Sequence, residues 1–564
     1  MKKFQFFLLA VMLGCCTVHA DSSLDSIFNA LRPLASSATE VKYTGMYDGN
    51  IPGFMIQRGY GNGWTEGLRL NCIDIKPEKA EEIFNTFDTA TEGKALRSGS
   101  QRAYYNESER VVYLCNYQED TNTLQLLKAS VDDEICVPYD WYSRDFYDGS
   151  PEQLKFQLPT AEWVAALAKL YTELKYNYVF YDRFKGDIDR VYNEIFPQMA
   201  QVTDNYEALR LLNRFIASCH DGHTYVYAVG VIEQPVCSPF TTRLIGDRVY
   251  IDRVESTELQ QDGMQRGMEV VAVNGVPVGE YADSALRPFV GSSTPQWTDY
   301  RVFDKYGLST GRKGSPLNLT LTNDHDTLVI NHQTGRAKRD LPAAPDRFQF
   351  SKIDGNIGLL RITDFQSEQV TEMFDRVYND ILATDALIID IRGNGGGNSG
   401  YANHIARHFS ADSIRSDSWR SPTYTPAFAS WGYERSWHEE PSVLMPPIPE
   451  KEPYLKPLAI LIDRGTFSAA EDFAALFKAM GRAVFVGNPS GGSTGNGVRV
   501  QLNSAVAANI CSKHDRMADG TEFVGIGILP DVSVDQTPQS YFSPSGGDAF
   551  IKAAISQLKG LLKP

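Results

Sequence analysis

Short apolar segments alternate with amphipathic helices between residues 357 and 487, and this alternation restricts the fold more than any other feature of the sequence. Each apolar segment has the length of a buried strand. Between the first two, Phe374, Val377 and Ile381 recur at helical spacing within residues 370–382. Strands and helices that alternate in this way form an α/β layer with parallel strands. The predicted strands are residues 357–362, 386–392, 457–462 and 483–487.

Ser468 lies where the third of these strands passes into a helix. Phe473 and Phe477 fall at helical spacing, and Gly481 is typical of a helix C-terminus. A serine in this place commonly caps the helix N-terminus. It can also be a nucleophile, because the amide groups and the dipole at that end of a helix stabilise an oxyanion. The second interpretation requires a base and a second set of oxyanion donors.

A glycine-rich run follows the second predicted strand, at Gly393, Gly395, Gly396 and Gly397. Glycine lets backbone N–H groups approach a ligand closely, because no Cβ stands in the way. This run is therefore the candidate for the second set of oxyanion donors.

The length and charge of the chain limit its organisation and its partners. With 564 residues it is too long for a single hydrophobic core, so several domains are expected. Its formal net charge of −16 argues against nucleic acid and anionic lipid as partners, since both are bound by basic surfaces.

The first 20 residues have the features of a signal peptide. Lys2 and Lys3 precede an apolar stretch at 4–13, and Val-His-Ala at 18–20 provides a small-residue cleavage site. We therefore expect an exported protein, periplasmic or secreted. Leu-Gly-Cys ending at Cys15 loosely resembles a lipobox, so lipoprotein anchoring through Cys15 stays open. No other stretch is predicted to span a membrane.

Six cysteines remain after the signal peptide. In an exported chain they could form disulfides. Their spacing contains no Cys-x-x-Cys pair, so metal binding through them is not expected. Buried free thiols are the state that we predict for most of them. They are Cys72, Cys115, Cys136, Cys219, Cys237 and Cys511.

Three further regions precede the α/β layer. Residues 21–150 mix one early helix with short alternating runs, which predicts an N-terminal α+β domain of unknown role. Residues 155–226 contain three apolar patterns of helical period and predict a helical bundle. His223 lies in a glycine-containing turn near the end of that region. Such a histidine is usually a surface residue.

Residues 236–335 are rich in predicted strands, and residues 263–278 within them resemble PDZ domains. That family binds extended peptides by adding them to a sheet edge. A β-rich spacer without ligand binding is the alternative interpretation.

His404 and His408 are four residues apart on a predicted helix at 401–409, a spacing that can hold a metal. No carboxylate stands in a His-Glu-x-x-His arrangement, and no third ligand is evident from the sequence. We therefore interpret both histidines as surface or packing residues. Residues 411–454 show no clear periodicity and are interpreted as a long loop.

Taken in order, the motifs resemble the tail-specific (carboxy-terminal processing) serine peptidase family, in its tricorn-like branch. The resemblance spans residues 155–564 and implies a PDZ-like domain and a crotonase/ClpP-like α/β catalytic core at 346–564. It also implies peptide or unfolded protein substrates and no metal or organic cofactor. The motifs are Asp-Gly-His-Thr at 221–224, the PDZ-like segment at 263–278, the strand and glycine run at 390–397, Phe-Ser-Ala-Ala-Glu at 467–471 and Gly-Ile-Gly-Ile-Leu-Pro-Asp at 525–531.

The resemblance assigns Ser468 as the nucleophile. The amides of Gly395, Gly396 and Ala469 are the implied oxyanion donors. The tail-specific branch activates its serine with a lysine in a Gly-Lys-Gly turn, but this chain has Asn496 in that place, and asparagine cannot act as a base.

The tricorn-like branch uses a histidine instead, and His223 occupies its place. An imidazole with a pKa near 6.5 suits a base that works near neutral pH. The orienting acid is expected at Val524, and Glu522 is the nearest carboxylate, so we assign that role to Glu522. Ser493 or a water could share it. Glu471, one turn after Ser468, is interpreted as structural.

The sequence thus predicts an exported serine peptidase of tricorn-like type. A peptidase scaffold that binds peptides without cleaving them is the alternative, because the lysine is missing and the glutamate is displaced. A hydrolase of nonpeptide esters is a third possibility.

Overall fold

The chain divides into two compact units, Met1–Asp148 and Gly149–Pro564. The predicted signal peptide, Cys15 and Cys136 lie outside the residues that the structure describes. The computed structural model describes residues 24–43, 50–51, 54–57, 65–90, 96–98, 101–106, 111–118, 122–130, 137–138, 157–228, 232–323, 326–341, 348–543 and 547–562.

In the first unit, two helices share a core with an antiparallel sheet. The core joins Phe28, Phe84 and Phe87 of the helices to Tyr113 and Leu126 of the sheet. The sequence predicted one early helix in residues 21–150, and the described part of this unit contains a second helix at Pro77–Ala90. Its elements are α1 (Leu24–Leu31), β1 (Ser37–Tyr43), β2 (Asn50–Ile51), β3 (Phe54–Gln57), β4 (Thr65–Cys72), α2 (Pro77–Ala90), β5 (Leu96–Ser98), β6 (Gln101–Asn106), β7 (Val111–Gln118), β8 (Thr123–Ser130) and β9 (Val137–Pro138). The main sheet has the order β1-β4-β8-β7-β6-β5, and β2, β3 and β9 form a small second sheet.

The second unit begins with three helices and continues through short strands. Its first elements are α3 (Thr160–Asn177), α4 (Tyr181–Met199), α5 (Asn205–Ala217), β10 (Tyr225–Ala228), β11 (Val236–Cys237), β12 (Phe240–Ile245), β13 (Arg248–Val254), α6 (Thr257–Gln261), β14 (Glu269–Val273), β15 (Val276–Pro277), α7 (Val278–Tyr281), α8 (Pro295–Phe303), β16 (Thr310–Gly311), β17 (Leu319–Thr322) and β18 (Thr327–Ile330).

The remaining elements of this unit include the predicted α/β layer. They are β19 (Phe348–Ile353), β20 (Ile357–Ile362), α9 (Gln369–Leu382), β21 (Ala386–Asp390), α10 (Ser399–Ala406), β22 (Ile414–Arg415), β23 (Ser418–Thr423), α11 (Pro426–Ser430), β24 (Ser436–Glu440), β25 (Leu444–Met445), β26 (Leu458–Ile462), α12 (Ala469–Met480), β27 (Val484–Gly487), β28 (Gly497–Gln501), β29 (Val506–Cys511), β30 (His514–Arg516), β31 (Val532–Ser533), α13 (Pro538–Phe542) and α14 (Ala549–Leu561).

The helices α3, α4 and α5 share a core with a small sheet. Apolar residues of helical period, such as Trp163, Leu170 and Ile188, are fully buried there. The sheet has the order β10-β29-β28, so the strand after His223 pairs with a strand far along the chain.

Residues 236–335 form an antiparallel sheet around their own core. Its order is β12-β13-β14-β17-β18, with β15 paired to β14. Val270, Leu319 and Leu321 are fully buried in this core.

The α/β layer has the order β19-β20-β21-β26-β27-β31. Neighbouring strands from β20 to β31 run parallel, which confirms the parallel pairing predicted from the alternation. Strand β21 is buried on both faces, because Leu387 and Ile389 contact the core under α9, α10 and α12, whereas Ile388 contacts the core under α14. This double burial explains why its sequence is continuously apolar.

Residues 411–454 differ from the long loop predicted for them. They contain β22 to β25 and α11, and β23 pairs with both β24 and β30. Their side chains are mostly exposed or half-buried, so the sequence lacks the apolar repeat of a buried strand.

Two further predictions can be compared with the described residues. None of the described helices is both long and apolar enough to cross a membrane. The described cysteines carry free thiols, and all but the half-buried Cys237 are buried, as predicted for most of them; they are Cys72, Cys115, Cys219, Cys237 and Cys511.

Candidate active site

Ser468 lies directly before α12, where the chain leaves β26. Its backbone has a φ of +58°, a conformation that residues other than glycine seldom adopt. The surrounding groups hold this conformation, since the Ser468 amide donates to the Ser493 carbonyl at 3.1 Å and to the Glu471 carboxylate at 3.3 Å. Strain of this kind concentrates at functional sites. The turn leaves the side chain half-buried rather than enclosed.

His223 reaches Ser468 from the turn between α5 and β10. Its Nε2 lies 2.9 Å from Ser468 Oγ. The imidazole stacks on Phe467 with ring centroids 4.7 Å apart, and Phe467 stacks on Trp297 at 3.8 Å. Asn509 Nδ2 donates to the His223 carbonyl at 2.6 Å. The ring plane and the backbone of the histidine are therefore both held in place.

The surroundings of His223 favour the neutral imidazole. Burial lowers its pKa, while the nearby carboxylates of Asp221 and Asp515 raise it and Lys513 lowers it again. The net direction is downward from 6.5. A base with this property is unprotonated at neutral pH and able to accept a proton.

The second ring nitrogen of His223 contacts a hydroxyl rather than a carboxylate. Nδ1 lies 2.8 Å from Ser493 Oγ, and Ser493 Oγ donates to Asp221 Oδ1 at 3.3 Å. Because the Ser493 proton points to the carboxylate, the hydroxyl oxygen is free to accept from Nδ1–H. This arrangement places the imidazole proton on Nδ1 and leaves the Nε2 lone pair facing Ser468.

Glu522 does not come to His223, in contrast to the role assigned to it from the sequence. Its carboxylate accepts from His514 Nε2 at 2.6 Å and from Arg516 Nε at 2.7 Å. Both partners belong to β30, next to Glu522 in the chain, so a local ion pair holds the acid. The group that contacts His223 in its place is Ser493.

Glu471 is fully buried and holds the loop that carries Ser493. Its carboxylate accepts from Ser490 Oγ at 2.5 Å, from the Gly492 amide at 2.7 Å and from the Ser493 amide at 2.8 Å. Burial raises the pKa of Glu471 to about 8, although these donors lower it. The structural role of Glu471 is therefore to fix the position of Ser493 beside His223.

The glycine run lies against Ser468, but its amides differ. Gly396 N–H donates to Asn394 Oδ1 at 2.8 Å, so this amide is already satisfied and is not available as an oxyanion donor. The hydrogen bonds of the described residues leave the amides of Gly395 and Ala469 without an acceptor. Gly396 is packed so closely that a Cβ there would lie 2.6 Å from Ser468 Cβ.

Two residues of this arrangement were given no firm role by the sequence. Asp221 stands in the Asp-Gly-His-Thr motif without an assigned function, and Ser493 was considered only as a group that could share the orienting role of Glu522. Thr224 Oγ1 donates to Asp221 Oδ2 at 2.6 Å, which is a local signal that the motif forms a turn around a buried carboxylate.

Among the described residues, no group that could hold a metal includes Ser468 or His223. Within the described residues, the three side chains close enough to share a metal ion are Asp375, His404 and His408. They include neither Ser468 nor His223, and the third member comes from α9 rather than from the helix that carries His404.

Comparisons with known proteins find one family model and several solved structures that resemble this chain. Residues 356–534 match the family model described as Peptidase family S41. The crystal structure of mature CPAF matches with a TM-score of 0.56 and 14% identity over 72% of this chain and 99% of that chain. Mature CPAF complexed with lactacystin matches with a TM-score of 0.53 and 15% identity over 71% and 97%. The photosystem II D1 C-terminal processing protease matches with a TM-score of 0.39 and 16% identity over 69% and 100%.

Proposed function

We propose that this protein, a serine-type peptidase whose residues 356–534 belong to peptidase family S41, cleaves peptide bonds with Ser468 as the nucleophile and His223 as the general base. The observation that carries this proposal is the 2.9 Å separation of Ser468 Oγ and His223 Nε2. A nucleophile and a base within hydrogen-bond reach are the signature of an activated serine. The stacking of Phe467 on the imidazole also supports the proposal, because it holds the ring beside the hydroxyl of Ser468.

In the first chemical step, His223 Nε2 takes the proton of Ser468 as Oγ attacks the scissile carbonyl. The resulting imidazolium donates from Nδ1 to Ser493 Oγ, and the Ser493 hydroxyl donates to the Asp221 carboxylate. The negative charge of Asp221 thus stabilises the cation through one intervening hydroxyl. The imidazolium then gives its proton to the leaving amine, and water hydrolyses the acyl-enzyme in the reverse sense.

The oxyanion is bound by the free amides of Gly395 and Ala469. The Ala469 amide also belongs to the N-terminus of α12, whose dipole favours negative charge. The sequence suggested Gly396 as a third donor, but its N–H donates to Asn394 Oδ1. Its role is that the absence of a Cβ lets the glycine run lie close to Ser468.

The substrate class follows from the rest of the chain. The antiparallel sheet of residues 236–335 has edge strands β12 and β18, to which an extended peptide can add, as in PDZ domains. We assign this region as PDZ-like and the parallel layer as a crotonase/ClpP-like core. With the signal peptide predicted at residues 1–20, the protein is an exported, tricorn-like peptidase for unstructured peptides or unfolded proteins.

A fluorophosphonate probe tests the assignment of the nucleophile. We expect the probe to label the protein once, on the peptide that contains Ser468, and to abolish hydrolysis of an unstructured peptide. Mass spectrometry of the labelled protein identifies the site. Peptide binding without turnover, in a protein that the probe does not label, would instead indicate the non-cleaving scaffold.

Replacing Asp221 by asparagine is expected to lower kcat and to move the acid limb of the pH profile to lower pH. Burial lowers the pKa of His223 and the Asp221 carboxylate raises it, so removal of that charge lowers it further. Activity rises with pH as His223 loses its proton. A lower pKa of His223 therefore moves the acid limb of the pH profile to lower pH. The loss in kcat should be about 10- to 10²-fold, less than where a carboxylate contacts the imidazole directly.

The measurement is kcat/KM against pH for wild type, Asp221→Asn and Ser493→Ala, with Glu522→Gln as the matched control. Ser493→Ala should lower kcat as well, because Nδ1 loses its partner. Glu522→Gln should keep the wild-type limb, since its partners are His514 and Arg516. If the acid limb of the pH profile shifts in Glu522→Gln and not in Asp221→Asn, Glu522 rather than Asp221 is the orienting acid.

A further inference from the structure

The histidine pair of α10 meets a carboxylate from a neighbouring helix. Asp375 lies on α9, His404 on α10, and His408 in the 3-10 turn (Arg407–Phe409) that continues α10. One ligand atom from each residue lies within 4.8 Å of the other two. The sequence offered two histidines without a third group, and the packing of α9 against α10 supplies it.

His408 is the member whose environment is hardest to explain without a ligand. Its Nδ1 lies 3.0 Å from the His404 carbonyl, and a carbonyl only accepts, so the proton is on Nδ1. Its side chain is fully buried against the rings of Phe374 and Tyr378, at centroid distances of 5.0 and 4.6 Å. A charged imidazolium would be poorly solvated there, so the neutral ring is favoured.

The neutral ring directs an unprotonated Nε2 towards Asp375. This buried nitrogen has no hydrogen-bond partner among the described residues. The nearest oxygen, Asp375 Oδ1, lies 3.5 Å away, too far for a hydrogen bond. Two lone-pair groups that face each other at this distance repel, unless a cation lies between them.

The separations of both histidines from Asp375 suit such a cation. His404 Nε2 lies 3.3 Å from each oxygen of Asp375. In a tetrahedral zinc site with metal–ligand distances of about 2.0–2.1 Å, neighbouring ligand atoms lie about 3.3–3.4 Å apart. The bond from Nδ1 to a backbone carbonyl is also the usual outer contact of a metal-binding histidine.

We propose that Asp375, His404 and His408 bind a divalent transition-metal ion of the zinc type, which holds α9 against α10. Imidazole and carboxylate together suit zinc better than magnesium or calcium, which prefer oxygen ligands alone. Binding uses the lone pair of His404 Nε2, so the proton that Nε2 shares with Asp375 passes to solvent while Nδ1 takes up a proton from solvent, and water completes the fourth position. The role of the ion is structural, because its ligands join α9 to α10 and include neither Ser468 nor His223.

The test is titration of the tag-free full-length protein with Co²⁺ and Zn²⁺. We expect one equivalent of Co²⁺ to give the visible absorption of a tetrahedral nitrogen and oxygen site, and Zn²⁺ to displace it and raise the melting temperature. Asp375→Asn and His404→Ala should each weaken binding by at least about 100-fold. Both side chains are partly exposed, so the variants should fold, which circular dichroism checks.

His438→Ala is the matched control, because His438 pairs with Glu440 at 2.9 Å on an exposed strand and belongs to no group among the described residues that could hold a metal. It should bind Co²⁺ as wild type does. No visible absorption with Co²⁺ and no rise in melting temperature with Zn²⁺, or equal Co²⁺ binding by wild type and Asp375→Asn, would overturn the proposal. Neither readout depends on peptidase activity.

Discussion

Ser468→Ala is expected to lower kcat for peptide hydrolysis by about 10⁴- to 10⁶-fold and to abolish labelling by a fluorophosphonate. The change removes the oxygen proposed to attack the substrate, and it leaves in place the amides of Gly395 and Ala469, which are the proposed oxyanion donors. Alanine keeps the Cβ of serine, so the strained turn at a φ of +58° is not altered. Peptide binding should therefore persist, and KM should change little.

His223→Ala should lower kcat by about as much as Ser468→Ala does. The double variant Ser468→Ala/His223→Ala should have a kcat no lower than that of either single variant. Residues that act as a unit are not additive, because removal of either abolishes the same proton transfer. His220→Ala is the control, since His220 lies three residues away and contacts Asp187 on an exposed surface. Additive losses in the double variant, or full activity in His223→Ala, would separate the two residues and contradict the proposed mechanism.

Sequence patterns predicted the parts of the site that lie within single motifs. Ser468 follows a buried strand and precedes a helix, and the glycine run follows another strand, so periodicity located both. His223 could be placed because its turn belongs to a motif set in family order. In each case the signal is local to a few residues.

The groups behind the histidine could not be predicted in the same way. Ser493 is 270 residues from His223 in the chain, and their contact exists only because β10 pairs with β29 and Glu471 holds the 490–493 loop. Glu522 was chosen for its place in the sequence, but its carboxylate binds Arg516 and His514 instead of His223. Asp375 was missed for the same reason, since no spacing rule links it to His404.

Gly396→Ala is expected to lower kcat/KM by at least about 10²-fold, the cost of displacing catalytic groups by about 1 Å. A Cβ at this position would lie 2.6 Å from Ser468 Cβ, 2.7 Å from the Phe467 carbonyl and 2.8 Å from the Ala469 amide. None of these neighbours is the end of a flexible side chain. The nucleophile and one oxyanion donor must therefore both move, and kcat should fall more than KM rises.

The backbone strain of this substitution has to be separated from its steric effect. Gly355 provides the control, because its φ of +83° is close to the +90° of Gly396 and a Cβ there meets nothing within 4 Å. Gly355→Ala should lower stability by about 1 kcal/mol, the cost of a Cβ in the left-handed region, and leave kcat/KM unchanged. Steady-state kinetics and the rate of fluorophosphonate labelling measure both variants. If Gly396→Ala folds and matches Gly355→Ala in both rates, the nucleophile does not depend on close packing of the glycine run, and the positions assigned to its oxyanion donors would have to be revised.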